Sequence, residues 1–169
     1  LASQLARQLH QQSRRTIGWR SHGINGIRLQ ALQDHLKTIQ LAPADAILLS
    51  MGVNDTTGLT PRRRYRQQLL ALGAQLPGPL FLLSVPPMHR FTALPTPLRQ
   101  LLGWRARQLD AIQRKLAAEQ PDDFIYLGYP AMTDPTLLAE DGYHPGITGY
   151  QAMATALAPA LTARLQTAK

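Results

Sequence analysis

The 169-residue sequence contains no cysteine, which excludes disulfide bonds, cysteine nucleophiles and thiolate metal sites together. Cysteine-free proteins occur in reducing and in oxidising compartments, so this absence favours neither. Long apolar runs are also missing, since no stretch approaches the roughly 20 uninterrupted apolar residues that a membrane-spanning helix needs. The sequence therefore predicts no membrane span.

Aromatic residues make up only 6% of the chain, whereas its formal net charge is +8. A basic balance of this kind favours contact with nucleic acid or with another anionic surface. The densest basic run consists of Arg62, Arg63, Arg64 and Arg66, and Tyr65 is the single aromatic residue within it. Nucleic-acid binding is better supported where basic residues are interleaved with stacking aromatics. We therefore interpret the run as a solvated helix face and predict no nucleic-acid partner, with a basic nucleic-acid-binding module kept as an alternative.

Short apolar runs alternate with longer amphipathic segments, a pattern typical of an α/β fold with a parallel sheet. The predicted strands cover residues 16–21, 46–51, 80–85 and 124–127. The predicted helices cover residues 1–12, 29–39, 61–76, 97–116 and 148–166. Thr60-Pro61 and Thr96-Pro97 each predict an N-cap followed by a first helical turn. No repeat, low-complexity tract or long linker interrupts this pattern, so a single domain over residues 1–169 is expected.

Polar segments follow the predicted strands at the places where a parallel sheet of this kind binds ligands, the carboxyl ends of its strands. The segments are Gly23-Ile24-Asn25-Gly26, Gly52-Val53-Asn54-Asp55 and Asp141-Gly142-Tyr143-His144-Pro145. The third follows the last strand and a short helical stretch. We look for the chemistry of the protein in these three segments.

Asp141 lies about one turn before His144, so its carboxylate can accept a hydrogen bond from Nδ1–H while Nε2 faces outward. Such a bond fixes the tautomer and stabilises the imidazolium, as a general base in acyl transfer requires. Taken alone, the pair is more typical of incidental polar residues in an exposed loop. A metal-ligand role is disfavoured because no second histidine or carboxylate cluster completes a site. We predict no metal and no cofactor.

Asn54 directly follows a buried strand and can aim its side-chain N–H at an oxyanion. Taken alone, it is more typical of a turn, which Asn-Asp pairs favour. Gly26 lacks a side chain, so its backbone N–H can come close to a ligand. A glycine after a strand is by itself weak support for a site.

The Gly-x-Asn-Asp segment and the later Asp-Gly-x-His-Pro segment, in this order, resemble two motifs of the SGNH (GDSL-type) serine hydrolases, and the resemblance extends from Gly26 to the last helix. It implies a three-layer, flavodoxin-like parallel sheet flanked by helices, and hydrolysis of carboxylic esters through an acyl-serine intermediate. It also implies that His144 is the general base and then the general acid, and that Asp141 orients it. Asn54 and Gly26 would donate N–H groups to the oxyanion, with His144 facing the Asn54 amide across a gap wide enough for an acyl group.

The Gly-Asp-Ser motif that ends the first strand in this family does not occur in the sequence. The opening LASQLARQLH resembles the helix that follows that motif, which implies that the first strand and the nucleophilic serine lie upstream of Leu1. Ser3 is disfavoured because neither a strand nor Gly-Asp precedes it, and Ser21, Ser50 and Ser84 are interpreted as structural. We expect the 169 residues alone to be inactive towards esters and poorly stable, because a missing strand leaves ladder groups unpaired.

Met88, Phe91 and Tyr143 are predicted to line a substrate pocket, since apolar loops near strand ends often wall small-molecule sites. Simple packing of a rigid, proline-rich connector is the other interpretation of residues 86–97. The expected partner is a small-molecule ester, and no oligomeric state is favoured. Besides the nucleic-acid module, the alternative function is a catalytically inactive SGNH-like domain that binds acyl or carbohydrate ligands.

Overall fold

The fold is described from a computed structural model, in which residues 1–91, 93–128, 130, 134–142 and 144–167 are placed. Two compact units divide the chain. The first comprises the described residues of 1–23, 91–93 and 129–169, and the second comprises residues 24–90 and 94–128. The single domain over residues 1–169 remains a prediction.

The described residues form six α-helices and three β-strands. The helices are α1 (Ala2–Ser13), α2 (Leu29–Leu36), α3 (Val53–Thr57), α4 (Arg62–Gln75), α5 (Thr96–Glu119) and α6 (Ile147–Thr167). The strands are β1 (Ile47–Leu49), β2 (Leu80–Leu83) and β3 (Phe124–Leu127). None of the helices in this part of the chain combines the length and the apolar character that a bilayer crossing requires.

The second unit contains a parallel sheet with the strand order β1-β2-β3. Leu80 of β2 is in register with Ile47 on one side and with Phe124 on the other. All four residues of β2 are buried, as expected for a central strand that is covered on both faces. Among the described residues β1 pairs with β2 alone, and its Ile47 and Leu48 are only half buried.

Helical crossovers connect these strands, because parallel neighbours cannot be joined by a tight hairpin. Helices α3 and α4 lie between β1 and β2, and α5 lies between β2 and β3. Tyr65, Leu69 and Leu72 form the buried stripe of α4, at the spacing of one helical face. On the same helix, Gly73 packs so closely on the Phe124 ring that an added Cβ would approach it to 2.4 Å. The predicted α/β class, a parallel sheet flanked by helices, is confirmed.

The first unit is built on the packing of α1 along α6. Leu5 and Leu9 are the buried leucines of α1, and they lie on one helical face. Thr162 donates a hydrogen bond to Gln12 over 2.9 Å, and Arg15 donates to the Leu165 carbonyl over 2.8 Å. The predicted helices over residues 1–12 and 148–166 are therefore both present.

The strand predicted over residues 16–21 is wrong, because the described residues 16–24 form no strand. Most of this segment is exposed, and the Trp19 side chain is 53% exposed. A strand persists only where its backbone groups find partners, and this segment pairs with none of the described strands. The described residues therefore contain three strands where four were predicted.

The predicted Thr-Pro caps are also displaced. Helix α4 begins at Arg62 with Pro61 as its N-cap, while the Thr60 hydroxyl donates to Asp55 instead of capping the helix. Helix α5 begins one residue earlier than predicted, with Pro95 as its N-cap and Thr96 already helical. The prolines mark both helix starts correctly, because their fixed φ suits a first turn, but the threonines do not serve as caps.

Candidate active site

Asp141 and His144 belong to a short loop in the first unit that is closed by backbone hydrogen bonds. Leu138 and Pro145 form an antiparallel bridge, and the Ala139 N–H donates to the His144 carbonyl over 2.8 Å. The N–H of Gly142 donates to the Ala139 carbonyl over 2.9 Å, and the φ of Gly142 is +63°, which favours glycine. The loop thus holds its residues in a tight turn directly before α6.

Within this loop the carboxylate of Asp141 binds His144 at two points. Oδ2 lies 2.7 Å from Nδ1 of the imidazole, and Oδ1 accepts the backbone N–H of His144 over 2.9 Å. The bond to the ring fixes the imidazole tautomer with hydrogen on Nδ1, so that Nε2 is the nitrogen able to take a proton. The two side chains are 65% and 50% exposed, so the pair faces away from the core. This is the arrangement that a general base and its orienting carboxylate require.

Asn54 lies in the second unit, in the first turn of α3. Its side-chain Nδ2 donates to the carbonyl of Ile27 over 3.2 Å. Ile27 directly follows Gly26, whose φ of +71° lies in the left-handed region that glycine adopts without strain. The structure therefore brings Asn54 against the loop that contains Gly26. A side-chain amide has two N–H groups, and the bond to Ile27 uses one of them.

Sequence reasoning assigned no role to Asp55, although it anchors the start of α2 beside the Gly26 loop. Asp55 is fully buried. Its Oδ2 accepts the backbone N–H of Leu29 over 3.2 Å, and its Oδ1 accepts the Thr60 hydroxyl over 2.8 Å. Leu29 is the first residue of α2, so the carboxylate also lies where the positive end of a helix dipole favours negative charge. Asp55 thereby ties the Gly26 loop to the connection between α3 and α4.

We predict that Asp55→Ala lowers the free energy of unfolding by about 2–3 kcal/mol, because it leaves the buried Leu29 N–H without an acceptor. Asp55→Asn should cost only about 1 kcal/mol, because the amide oxygen can accept from Leu29 while its NH₂ donates to the Thr60 hydroxyl. Urea unfolding of the full-length chain would measure both. An Asn variant as unstable as the Ala variant would contradict this assignment of the two bonds.

Gly52 lets the end of β1 pass close to the end of β2. Its φ is +121°, a value that residues with a side chain rarely adopt. A Cβ at this position would lie 2.6 Å from Cγ2 of Val85 and 3.1 Å from the hydroxyl of Tyr65. Tyr65 is itself fixed, because it accepts a 2.9 Å hydrogen bond from Gln113, and burial raises its pKa. The glycine is therefore required both by its backbone conformation and by its close packing.

Asp110 is a second buried carboxylate that sequence reasoning missed. It lies on the inner face of α5, where its Oδ1 accepts the backbone N–H of Val85 over 3.2 Å. Its Oδ2 accepts Nε–H of Arg114 over 2.9 Å, and the Tyr126 hydroxyl donates to the same carboxylate. Burial is the largest influence on the pKa of Tyr126 and raises it. The hydrogen bond with Ser84 lowers this pKa and the charge of Asp110 raises it, so that the pKa is raised overall. This network fixes the exit of β2 and fits the structural interpretation of Ser84.

Of the three residues predicted to line a pocket, Met88, Phe91 and Tyr143, the two that the structure describes differ in their burial. Met88 lies in a single 3₁₀ turn and is 1% exposed, so it packs as a core residue. Phe91 is half buried. Tyr143 lies outside the described residues, and a pocket formed by these side chains stays a prediction. Within the described residues, no group of three or more histidine or acidic side chains is placed to hold a metal ion.

Comparison with known proteins identifies a family. The model of the GDSL-like lipase/acylhydrolase family matches residues 1–152. No curated protein matches the chain significantly. The crystal structure of LAE5, an alpha/beta hydrolase enzyme from the metagenome of Lake Arreo, Spain, is similar with a TM-score of 0.69 and 17% identity, over 97% of this chain and 81% of that chain. A second crystal structure is similar with a TM-score of 0.58 and 15% identity, over 96% of this chain and 83% of the other. At these identities the two structures establish a shared fold.

Proposed function

Because the chain belongs to the GDSL-like lipase/acylhydrolase family, as its two motifs predicted, we propose that it is the greater part of a serine esterase that cleaves carboxylic esters. Family membership itself makes the chain a hydrolase of the ester type in general. The finer proposal rests on the 2.7 Å bond between Asp141 and Nδ1 of His144. That bond leaves Nε2 as the basic nitrogen, and a general base for acyl transfer needs this tautomer.

In the proposed reaction, His144 moves protons between the nucleophile and the leaving group. Nε2 takes the proton of a serine hydroxyl as its oxygen attacks the ester carbonyl carbon, and the imidazolium is stabilised by Asp141. The tetrahedral intermediate collapses with cleavage of the ester C–O bond, and the alcohol leaves with the proton from Nε2. Water then attacks the acyl-serine in the same way, and the carboxylic acid and the free serine result.

We assign the stabilisation of the oxyanion to the Nδ2–H of Asn54 and the backbone N–H of Gly26. The bond from Asn54 to Ile27 supports this assignment, because it fixes the amide beside the Gly26 loop before a substrate binds. Such preorganised donors are effective because they need no reorientation as the charge develops, and each typically contributes about 2.7–4 kcal/mol to the transition state.

We further propose that the nucleophilic serine is encoded upstream of Leu1, since the 169 residues contain no Gly-Asp-Ser. The edge of the sheet supports this proposal. Strand β1 pairs with β2 alone in the described residues, and its Ile47 and Leu48 are half buried although central strands in such folds are covered. A further parallel strand ending in Gly-Asp-Ser would satisfy the ladder groups of β1 and present a serine at the carboxyl edge.

The test is to express the chain with its native upstream sequence and to label it with a fluorophosphonate probe, which reacts covalently with activated serines. We expect one labelled serine, located by mass spectrometry upstream of Leu1 in a Gly-Asp-Ser motif, and no labelling of the 169 residues alone. Heat-denatured protein is the control for non-specific labelling. A labelled serine within residues 1–169 would refute the upstream nucleophile. A folded, unlabelled full-length protein would refute the esterase and favour the inactive binding domain.

A further inference from the structure

The N-terminal half of α5 exposes an apolar face. Leu98, Leu101 and Trp104 follow each other at intervals of three residues, so they lie along one side of the helix. Their exposed fractions are 43%, 53% and 52%. The opposite side of the same half-helix is buried through Leu102 and Ala106. The helix therefore has an apolar side in the core and a second apolar side in solvent.

Leu59 is a further exposed leucine, on the connection between α3 and α4. It is 63% exposed, and its φ of +53° is unusual for a residue with a branched side chain. The guanidinium of Arg105 donates to the carbonyl of Thr60. This bond ties the connection that carries Leu59 to the part of α5 that carries Trp104. We call Leu59, Leu98, Leu101 and Trp104 the α5 face.

The two sequence segments that contribute the α5 face are basic. Residues 59–75 include four arginines, residues 94–109 include three, and neither range contains Asp or Glu. Arg62 and Arg63 are exposed and form no ion pair with any described residue. Arg99, Arg105 and Arg107 lie on α5 together with the exposed leucines and Trp104, so positive charge and exposed apolar side chains alternate along this half-helix.

We propose that the α5 face docks onto an anionic phospholipid surface. Leucine and tryptophan side chains insert at the boundary between headgroups and acyl chains, where an indole has an apolar and a polar environment together. The neighbouring arginines bind lipid phosphates, for which a guanidinium is well suited. The same charges disfavour a second copy of this chain as the occupant, because a two-fold contact through this face would bring arginines against arginines. A nucleic acid would leave the leucines without a favourable environment.

This inference does not depend on ester hydrolysis, so a binding experiment tests it separately. The full-length chain is mixed with sedimentable vesicles of phosphatidylcholine alone or of equimolar phosphatidylcholine and phosphatidylglycerol. We expect binding to the anionic vesicles only, and its loss at high salt. Trp104→Ala, and separately Arg62→Ala with Arg63→Ala, should each lower the partition coefficient about tenfold.

Trp19 provides a matched control, because it is exposed to 53% against 52% for Trp104 and belongs to the other unit. Anionic vesicles should shift the emission of Trp19→Phe, which keeps Trp104, to shorter wavelength. They should leave the emission of Trp104→Phe unchanged. Where Trp104→Ala fails to fold, Leu101→Gln replaces it in the sedimentation experiment, since an exposed glutamine is well tolerated in a helix.

Four outcomes would overturn the proposal. One is equal binding to both kinds of vesicle, or binding that Trp104→Ala and Leu101→Gln leave unchanged. The second is self-association that Leu101→Gln abolishes, since the face would then be an interface between copies. The third is salt-sensitive binding to duplex DNA that exceeds binding to the vesicles. The last is protection of Trp104 from acrylamide quenching without vesicles, which would mean that the chain itself covers the face.

Discussion

Replacing His144 by alanine in the full-length chain should lower kcat for a short-chain p-nitrophenyl ester by about 10⁶-fold. The variant lacks the base that takes the serine proton, so the nucleophile would attack as a neutral hydroxyl. Asp141→Asn should lower kcat by about 10⁴-fold while leaving the loop intact. The new amide oxygen can still accept the His144 N–H, but its NH₂ would face Nδ1 of the ring. Nδ1 would then accept a hydrogen bond from this NH₂ group, so the ring would carry its hydrogen on Nε2. In that tautomer Nε2 cannot take the proton of the serine.

Steady-state kinetics and the rate of fluorophosphonate labelling would measure both losses. Asn54→Ala should show a smaller loss of about 10²–10³-fold in kcat, because it removes one oxyanion donor and leaves the base in place. His22→Ala, at an exposed loop position, is the histidine control and should retain wild-type activity. If His144→Ala kept more than about one hundredth of the activity, the assignment of the base would be wrong, since even the loss of one oxyanion donor costs that much.

The Gly-Val-Asn-Asp segment shows how one short motif combines three separate physical tasks. Gly52 permits the close passage of two strand ends, Asn54 offers an amide beside the Gly26 loop, and Asp55 ties that loop to the start of α4. Only the second task was anticipated for this segment. The roles of Gly52 and Asp55 depend on residues outside the motif that pack against it, and the spacing of the motif does not tell which residues these are.

The parts of the fold that could be predicted are those determined by local patterns. Residues 80–83 and 124–127 form strands because each is a short apolar run with no helical periodicity, and the amphipathic stripe of α4 appears where it was expected. Residues 16–21 also have a strand-like local pattern, with Ile17 and Trp19 two residues apart, but a strand also needs a neighbour to pair with. Local pattern therefore predicts an element only where the rest of the sheet supplies its partners.

The candidate site divides in the same way. Asp141 and His144 are three residues apart, so their bond follows from local geometry and could be predicted. Asp55 and Leu29 are 26 residues apart in the sequence, and Asp110 and Val85 are 25 residues apart, so neither hydrogen bond follows from local geometry. A buried carboxylate in an apolar stripe, such as Asp110 beside Leu109, is the signal that could have revealed the second of these, because a charge is buried only where donors satisfy it.

Gly52→Ala should be the most damaging stability change, with the free energy of unfolding lowered by about 3–5 kcal/mol. Two costs add at this position. A φ of +121° is strained for any residue with a side chain, and the new Cβ would lie 2.6 Å from Cγ2 of Val85. Val85 cannot easily move, since its backbone N–H is bound to Asp110 and its side chain is only 5% exposed. Urea unfolding of the full-length chain would measure the loss.

Two further variants separate the strain from the clash. Gly18→Ala is the glycine control, because its Cβ would meet no atom within 4 Å and its φ is not positive; it should change stability by less than about 1 kcal/mol. In the Val85→Ala background the clash with the valine methyl groups is removed, so Gly52→Ala should cost about 1–3 kcal/mol there, from backbone strain and the remaining 3.1 Å approach to the Tyr65 hydroxyl. An unchanged cost in that background would show that the contact with Val85 contributes nothing to the loss. A Gly52→Ala variant as stable as the wild type would mean that the ends of β1 and β2 are not packed as described. The described position of the Asn54 amide, two residues after Gly52, would then be wrong as well.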